Sequence, residues 1–202
     1  MELKQRLKNV NIYLIGMMGS GKSTVGRVIA DTLGYRFVDI DDVIEQVTHR
    51  SIAQIFTESG EEIFRDIEAQ VLAELSAYPR LAIATGGGIV LRQQNWSYLH
   101  HGIVVWLDAP IEVLYARLQG NTTRPLLQTP NPQQKLRDIL NHRQSLYAQA
   151  DVRVPISSNE SPHLLTNRIL DAIAQVLKPE STPASLDLDP TQSSFNDHAT
   201  DA

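Results

Sequence analysis

The sequence predicts an α/β fold with a mainly parallel sheet, because apolar runs alternate with amphipathic helical patterns along most of the chain. Four of the five apolar runs lie between helical patterns, and the fifth precedes the last one. A content of 42% apolar residues in a chain of 202 residues is enough for one domain with a single large core. The runs predicted as strands are NIYLIG (11–16), RFVDI (36–40), LAIAT (81–85), IVVWLD (103–108) and DVRVPI (151–156).

Capping signals mark the ends of the helices between these runs. Ser51 with Gln54, and Ser59 with Glu62, have the spacing of a capping box, in which two side chains satisfy each other's backbone N–H groups. Gly34 follows the first long helical pattern and is predicted to close that helix. Two apolar stripes are expected to face the core, namely Ile67, Val71, Leu72 and Leu75, and then Leu165, Ile169, Ile173, Val176 and Leu177.

Charge and cysteine content exclude several classes of function. The net charge of −5 comes from residues 180–202, which carry five acidic and no basic side chains, so residues 1–179 are formally neutral. Lys and Arg do not outnumber Asp and Glu, so the composition does not indicate nucleic-acid binding. The absence of cysteine excludes disulfides, thiolate metal sites and cysteine nucleophiles.

The chain is predicted to form a single domain over residues 1–179. Residues 120–133 are rich in Gly, Pro, Asn and Thr, which is typical of a mobile loop. Residues 180–202 are rich in Ser, Thr, Pro and Asp and are expected to form a disordered acidic tail. The first dozen residues lack the apolar stretch of a signal peptide, and no window approaches 18 apolar residues. The predicted location is therefore the cytoplasm, without a membrane partner.

Residues 16–23, GMMGSGKS, match the phosphate-binding motif G-x-x-x-x-G-K-[ST] in full, between a predicted strand and a predicted helix. The glycines let backbone N–H groups point at phosphate oxygens, and the helix N-terminus adds partial positive charge. Lys22 is expected to reach the β- and γ-phosphates, and the Ser23 hydroxyl is a natural ligand for Mg²⁺. The predicted ATP-binding residues of this P-loop are Gly19, Ser20, Gly21, Lys22, Ser23 and Thr24.

A P-loop alone does not separate small-molecule kinases from GTPases or motor ATPases. The GTPase motif N-K-x-D is absent, and the small size of the chain disfavours the larger machines. No clear strand ends in the aspartate of a Walker B motif, since LAIAT ends in Thr85. The strand IVVWLD ends in Asp108, but Ala-Pro follows, and Asp108 could simply cap the next helix. A carboxylate elsewhere in the sequence could therefore help to coordinate Mg²⁺.

Polar residues follow two further strands. Asp39 and Asp41 are two positions apart, so they share a face if the second strand continues through them. The third strand is followed by Gly86–Gly88, where backbone N–H groups can approach a ligand closely. Ligands of open parallel sheets bind at such carboxyl ends of strands. The alternative is that Asp41 or Asp42 caps the next helix and the glycines only turn the chain.

Six motifs occur in order between about residue 10 and residue 177: GMMGSGKSTVGR, FVDIDDVIE, SIAQIFTESGEEIFRDIE, ATGGGIV, NTTRPLL and HRQSLY. In sequence and spacing they resemble the shikimate kinase family. The resemblance implies a three-layer P-loop NTPase fold with a five-stranded parallel sheet in the order 2-3-1-4-5, helices on both faces and a mobile lid. It also implies transfer of phosphate from ATP to shikimate, giving ADP and 3-phosphoshikimate on the way to the aromatic amino acids, by a monomer that uses Mg²⁺.

The resemblance assigns roles to the paired aspartates. Asp39 would help to hold magnesium through water, together with Ser23. Asp41 would hydrogen-bond the reactive hydroxyl and is the candidate general base. A carboxylate near a lysine and magnesium should remain ionised and would be a weak base. Positioning and charge stabilisation by Lys22 and the other groups would then supply much of the catalysis.

The resemblance also assigns the acceptor site. Arg65 and Arg143 would grip the carboxylate of shikimate, and a guanidinium fork fits a carboxylate with two hydrogen bonds. Glu68 lies one helical turn after Arg65 and could orient its guanidinium. A lone arginine is more often a solvated helix charge, and the place of these two within family motifs reverses that expectation. The glycines implied to contact shikimate through their backbone are Gly86, Gly87 and Gly88.

Residues 120–133 correspond to the lid of the family. Arg124 would swing over the phosphates and stabilise the transition state, and closure of the lid would exclude water. Arg117 aligns with an arginine that stacks on adenine. The adenine contacts after the last strand vary in the family, and the stretch SSNESP does not identify one in this sequence.

Two other functions remain open. A related small-molecule kinase, such as a gluconate kinase or a nucleoside monophosphate kinase, would share the phosphate site. The paired aspartates, the three glycines and the two arginines argue against it, and no set of residues for reading an acceptor base is evident. A nucleotide-dependent binding module that has lost catalysis would show damaged motifs, whereas this chain retains Lys22, Ser23, Asp39, Asp41 and Arg124.

Overall fold

The computed structural model describes residues 2–119, 131–158 and 160–177, with backbone alone at residue 2. Five parallel strands form one sheet in the order β2-β3-β1-β4-β5, which confirms the predicted fold and strand order. Each strand coincides with one of the five apolar runs. The strands are β1 (Ile12–Ile15), β2 (Arg36–Asp39), β3 (Leu81–Ala84), β4 (Ile103–Asp108) and β5 (Val152–Pro155).

Helices cover the sheet. Every residue of β1 and β3 is buried, as expected for central strands of a parallel sheet that is covered on both faces. The helix that follows the P-loop packs on β2 and β3, and the last helix packs on it and on β5. The helices are α1 (Glu2–Arg6), α2 (Lys22–Leu33), α3 (Ile40–Thr48), α4 (Ile52–Ser76), α5 (Gln93–Leu99), α6 (Ile111–Leu118), α7 (Pro132–Tyr147) and α8 (Pro162–Val176), with a short 3-10 helix at Ile89–Leu91.

Two of the predicted helix ends are confirmed. The Ser51 hydroxyl accepts from the backbone N–H of Gln54 at 3.2 Å, and the Gln54 side chain accepts from the backbone N–H of Ser51 at 2.8 Å. These reciprocal bonds make the predicted capping box at the start of α4. Gly34 ends α2 in the left-handed conformation, with φ of 64°.

The predicted capping box of Ser59 with Glu62 was wrong. Helical geometry inside α4 breaks at Gly60, which has φ of 84° and ψ of 171°. That conformation favours glycine, and it cannot be the first helical residue after a cap at Ser59. The Ser59 hydroxyl instead accepts a hydrogen bond from Nη1 of Arg50 at 3.2 Å.

Asp108 does not cap the next helix, so that alternative is wrong. Pro110 occupies the cap position of α6. The Asp108 carboxylate accepts hydrogen bonds from Nε and Nη2 of Arg153 at 2.9 and 2.6 Å. Asp108 therefore ties the end of β4 to β5.

Two predicted segments lie wholly or mainly outside the described residues. The tail at 180–202 lies outside them, and so does all of the predicted lid except residues 131–133. There Asn131 caps α7 by accepting from the backbone N–H of Gln134 at 3.1 Å. In the part of the chain that the structure describes, none of the helices is both long and apolar enough to cross a membrane.

Candidate active site

Three segments meet at the carboxyl-terminal edge of the sheet. The P-loop follows β1, Asp39 ends β2, and Gly86–Gly88, which we call the glycine turn, follow β3. Strand β3 pairs with both β1 and β2, and Asp39 is in register with Ala84. The aspartate and the glycine turn are therefore neighbours beside the P-loop, at the edge where ligands of open parallel sheets bind.

The backbone of the P-loop needs its glycines. Gly16 and Gly21 have φ of 136° and 100°, a region that side chains rarely adopt. A Cβ atom at Gly16 would also lie 2.6 Å from the carbonyl oxygen of Leu107. Gly21 is the cap residue of α2 and has no side chain to satisfy its first turn. The N-terminus of α2 therefore opens onto the cavity beside the loop, as an anion site requires.

Lys22, Ser23 and Asp39 come together at the start of α2. Lys22 is 8% exposed, and its Nζ donates to the carbonyl oxygens of Gly16 and Met17 at 3.0 and 2.9 Å. The Ser23 hydroxyl donates to Oδ2 of Asp39 at 2.6 Å. The two side chains that were predicted to serve Mg²⁺ are thus in contact.

Asp39 and Asp41 are close, but not for the predicted reason. Strand β2 ends at Asp39 and helix α3 begins at Ile40, so the two carboxylates do not share the face of one strand. Asp39 itself caps α3, and its Oδ1 accepts from the backbone N–H of Asp41 at 3.1 Å. The alternative that Asp41 or Asp42 caps this helix is therefore also wrong. The cap leaves Asp41 on the first turn of α3, where it faces both cavities described below.

Beside the P-loop lies a cavity of about 520 Å³, which we call the P-loop cavity. Arg117 on α6 lines it, and its Nη1 donates to the carbonyl oxygens of Gly19 and Ser20 at 3.2 Å each. Arg117 is therefore held against the loop that was predicted to bind phosphate. The predicted P-loop residues that line this cavity are Gly19, Ser20, Gly21, Lys22, Ser23 and Thr24.

The wall of the P-loop cavity that follows β5 was not predicted from the sequence. Glu160, Pro162 and Leu165 line the cavity there. Glu160 is fixed by Arg168, whose Nη1 donates to both carboxylate oxygens at 2.7 Å. No motif marks these residues, and the signal that could have found them is their position just beyond the carboxyl end of a parallel strand.

A second cavity, of about 530 Å³, lies between α3, α4 and the glycine turn, and we call it the α4 cavity. One wall is apolar. Phe56 and Phe64 lie on it with their ring centroids 4.7 Å apart. This pairing was not predicted because the two rings are eight residues apart, about 12 Å along an unbroken helix, and the break at Gly60 falls between them. The other residues that line the apolar part are Met18, Ile52 and Ala53.

The charged wall of the α4 cavity is built around Arg65, which is only 6% exposed. Its Nη1 donates to Oε2 of Glu68 at 2.7 Å, which confirms the predicted pair across one helical turn. Its Nε and Nη2 donate to Oε1 of Glu61 at 3.3 and 3.0 Å. The guanidinium is thus fixed from two sides.

Arg143 on α7 lines the same cavity. It is 7% exposed, and its Nη1 donates to the carbonyl oxygen of Gly87 at 3.0 Å. A Cβ atom at Gly88 would collide with the guanidinium of Arg65, whereas one at Gly87 would lie 3.7 Å from Nη1 of Arg143. The glycine turn therefore lies against two buried arginines, which together suit an anionic ligand.

Glu68 is fully buried beneath this site. Burial raises the pKa of its carboxyl group, the Arg65 guanidinium opposes that rise, Asp41 adds to it, and Arg143 opposes it. Within the described residues, Oε1 of Glu68 has no hydrogen-bond partner. A Cβ atom at Gly86 would collide with this oxygen. Glycine is therefore required at position 86 to make room for the carboxylate.

The two cavities adjoin. Both are lined by Met18, Asp41, Asp42 and Gly87. Burial and the nearby Asp39 raise the pKa of Asp42, although its side chain is 61% exposed. Ligands in the two cavities would therefore meet beside Asp41 and Gly87.

One predicted catalytic residue has no described position. Arg124 lies outside the described residues, so its role stays a prediction. In residues 2–119, 131–158 and 160–177 there is no group of three or more His, Cys, Asp or Glu side chains that could hold a metal ion by itself. Ser23 and Asp39 alone would leave most of the six positions around Mg²⁺ to other ligands.

The fold and the two adjoining cavities define a P-loop kinase for a small acceptor. One cavity lies beside the glycine-rich loop and suits a nucleoside triphosphate, and the other presents two buried arginines to an anionic ligand.

Comparison with known proteins gives the family. The family model described as shikimate kinase matches residues 18–174. A shikimate kinase of Nostoc sp. is 55% identical over 172 residues, which are 85% of this chain and 95% of the relative. A shikimate kinase of Rippkaea orientalis is 52% identical over 180 residues, with 89% and 96% of the two chains covered. This chain belongs to the shikimate kinase family.

Solved structures agree. A shikimate kinase from Acinetobacter baumannii in complex with shikimate matches with a TM-score of 0.81 and 41% identity, over 86% of this chain and 97% of the other. A shikimate kinase from Aquifex aeolicus matches with a TM-score of 0.71 and 34% identity, over 82% and 96%. A gluconokinase from Sinorhizobium meliloti has a TM-score of 0.51 at 18% identity, which shows a shared fold alone.

Proposed function

We propose that this protein transfers the γ-phosphate of ATP to the 3-hydroxyl of shikimate and releases ADP and 3-phosphoshikimate. Membership of the shikimate kinase family and the likeness to a structure in complex with shikimate support this activity. The observation that carries the residue assignments is the contact between the two cavities at Asp41 and Gly87. Phosphoryl transfer requires the donor phosphate and the acceptor oxygen to meet in line, and these cavities adjoin at one place.

The carboxylate of shikimate would be bound by Arg65 and Arg143. Both guanidinium groups are buried and line the same cavity beside the glycine turn. Because Glu61 and Glu68 already fix Arg65, little side-chain freedom is lost when a ligand binds. The backbone of Gly86–Gly88 and the apolar wall at Phe56 and Phe64 would then contact the ring.

Asp41 would accept a hydrogen bond from the reacting hydroxyl and take up its proton. Its position between the two cavities supports this assignment. Lys22 would neutralise charge on the β- and γ-phosphates after leaving the P-loop carbonyls that it now contacts. Arg117 would stack on adenine, and Arg124 would stabilise the transition state from the lid.

The residues at the start of α2 fit Mg²⁺. The Ser23 hydroxyl and the Asp39 carboxylate are hard oxygen donors 2.6 Å apart, and Mg²⁺ prefers such donors together with water and phosphate oxygens. When bound, the ion would supply positive charge to the phosphates of ATP. We further propose that residues 1–179 act as a single domain, in a monomer located in the cytoplasm.

The first test measures ADP release from Mg-ATP with and without shikimate, with gluconate and AMP as alternative acceptors. We expect strong stimulation by shikimate alone. Turnover with gluconate or AMP, but not with shikimate, would overturn the proposed acceptor while leaving the P-loop assignment in place.

The second test compares Arg143→Ala with Arg153→Ala. Arg153 is a matched control because it makes an ion pair with Asp108 at 2.6 Å but lines neither cavity. Loss of a charge-assisted hydrogen bond of about 1.5–3 kcal/mol should raise the KM for shikimate about 10- to 150-fold in Arg143→Ala. Equal KM values in the two variants would contradict the assignment of Arg143.

A further inference from the structure

We propose that Tyr147 is a positioning residue that fixes the glycine turn against the P-loop. Tyr147 is the last residue of α7 and is fully buried. Its hydroxyl donates to the carbonyl oxygen of Gly87 at 2.6 Å and lies 3.7 Å from the sulfur of Met17 in the P-loop. One phenol group thus contacts both of the segments that bound the two cavities.

Gly87 is the point at which the glycine turn contacts the P-loop. A Cβ atom at Gly87 would lie 3.4 Å from the carbonyl oxygen of Gly16 and 3.4 Å from the backbone nitrogen of Met18. Gly87 also lines both cavities. The position of this peptide therefore helps to set the separation between a phosphate donor beside the P-loop and an acceptor on the glycine turn.

Within the described residues, the Gly87 carbonyl accepts from two donors, and both come from α7. Nη1 of Arg143 donates at 3.0 Å, and the Tyr147 hydroxyl, one helical turn later, donates at 2.6 Å. Arg143 is also assigned to the carboxylate of shikimate, so its guanidinium must satisfy a ligand as well as the protein. Tyr147 is not assigned to a ligand, so its hydrogen bond holds the peptide group of Gly87 while Arg143 adjusts to the ligand.

The phenol ring is itself held in place. It stacks on Trp106 of β4, with ring centroids 5.8 Å apart and planes inclined by 25°. Burial raises the pKa of Tyr147, and Arg143 and Arg65 only partly oppose that rise, so the hydroxyl keeps its proton and remains a donor at neutral pH. The central sheet therefore fixes the donor, and the donor fixes the glycine turn.

Removal of this hydroxyl should impair alignment more than binding. In Tyr147→Phe the ring and its stacking remain, and Gly87 keeps the hydrogen bond from Arg143. We expect kcat to fall about tenfold, the factor that corresponds to one well-formed hydrogen bond, because small misplacements of reacting groups slow phosphoryl transfer. Affinity for ADP should stay within about twofold, because the P-loop contacts of the nucleotide do not depend on this bond.

The experiment compares wild type, Tyr147→Phe and the control Tyr35→Phe. Tyr35 is also a buried tyrosine, it lines neither cavity, and within the described residues its hydroxyl has no hydrogen-bond partner. Steady-state kcat and KM for shikimate, the Kd for ADP and the melting temperature are measured for each. A fall in kcat in Tyr147→Phe alone, with ADP affinity and melting temperature preserved, supports the proposal.

An unchanged kcat in Tyr147→Phe would overturn the proposal. A fall in kcat that is accompanied by a comparable fold-loss of ADP affinity and by a lower melting temperature would also overturn it. The latter result would show that the hydroxyl serves general packing. The inference rests on the proposed function, and the two fail differently. If wild type shows no shikimate-dependent ADP release, the proposed function is wrong. If wild type is active and Tyr147→Phe is equally active, only the role of Tyr147 is wrong.

Discussion

Gly88→Ala tests whether the acceptor site depends on a fixed Arg65. Gly88 has φ of −101° and ψ of 2°, which alanine tolerates, so the substitution adds no backbone strain. The new methyl group would collide with the guanidinium of Arg65, which is buried and bonded to Glu61 and Glu68. The guanidinium can move away only by weakening these bonds.

The size of the effect follows from the buried ion pair. Removing one partner of a buried pair costs about 3–5 kcal/mol, and because Arg65 would be displaced rather than removed, this range is an upper bound for the loss of unfolding free energy. Loss of the bond from Arg65 to the carboxylate of shikimate would raise the KM for shikimate about 10- to 150-fold. The KM for ATP should stay unchanged, because neither Gly88 nor Arg65 lines the P-loop cavity.

The assay combines steady-state kinetics with thermal unfolding, and Gly87→Ala is the control for stability. A Cβ atom at Gly87 would make only contacts of 3.4 Å or longer, so this variant should keep the Arg65–Glu68 pair and a melting temperature close to that of wild type. A KM for shikimate within twofold of wild type, with an unchanged melting temperature in Gly88→Ala, would refute the argument that Arg65 must be fixed.

Three further predictions concern the phosphate site, pH and the tail. Lys22→Ala should lower kcat about 10²- to 10³-fold, as loss of a preorganised charge does, and retention of more than a tenth of wild-type turnover would contradict its role. Because burial raises the folded-state pKa of Glu68, the stability that its protonated form contributes is fully present below its ordinary value of 4.5 and is lost as pH rises through the raised value. The melting temperature of Glu68→Gln should therefore fall less than that of wild type as the pH rises above 4.5. Identical pH dependences of the two melting temperatures would argue against this. Deletion of residues 180–202 should leave kcat and the melting temperature nearly unchanged, and a large loss of either would show that the tail docks on the domain.

The sequence predicted the strands because each is a short apolar run between turn signals. The alternation of these runs with helical patterns gave a parallel sheet, whereas the strand order came from the family resemblance, since apolar periodicity does not say which strands pair. Asp39 and Asp41 show where local patterns fail. The same residues FVDIDD are compatible with a longer strand, and only the tertiary structure shows that the Asp39 side chain caps a helix at Ile40 instead.

The parts of the candidate site that lie within sequence motifs were predictable, and the other parts were not. The P-loop and the Arg65–Glu68 pair follow from spacing along one helix or loop. The walls contributed by Phe56 and Glu160 do not, because they depend on a helix break and on the path of the chain after β5. Tyr147 was missed for a related reason, since its partners Gly87 and Met17 are distant in sequence.

The break at Gly60 separates α4 into two halves that are anchored to different parts of the protein. The first half begins at Ile52, whose backbone N–H donates to Glu45 of α3 at 2.8 Å. The second half is tied to Arg92, whose Nη2 donates to Glu62 at 2.8 Å and whose Nη1 pairs with Asp66.

The first half also contributes Phe56 to the apolar wall, and the second contributes Arg65 and Glu68 to the charged wall. Residues 52–59 thus shape part of the apolar wall without contributing to the charged wall. Substitutions at Phe56 would therefore change the space that the α4 cavity offers to the ring of a cyclic acid, while Arg65 and its pairs with Glu61 and Glu68 stay in place.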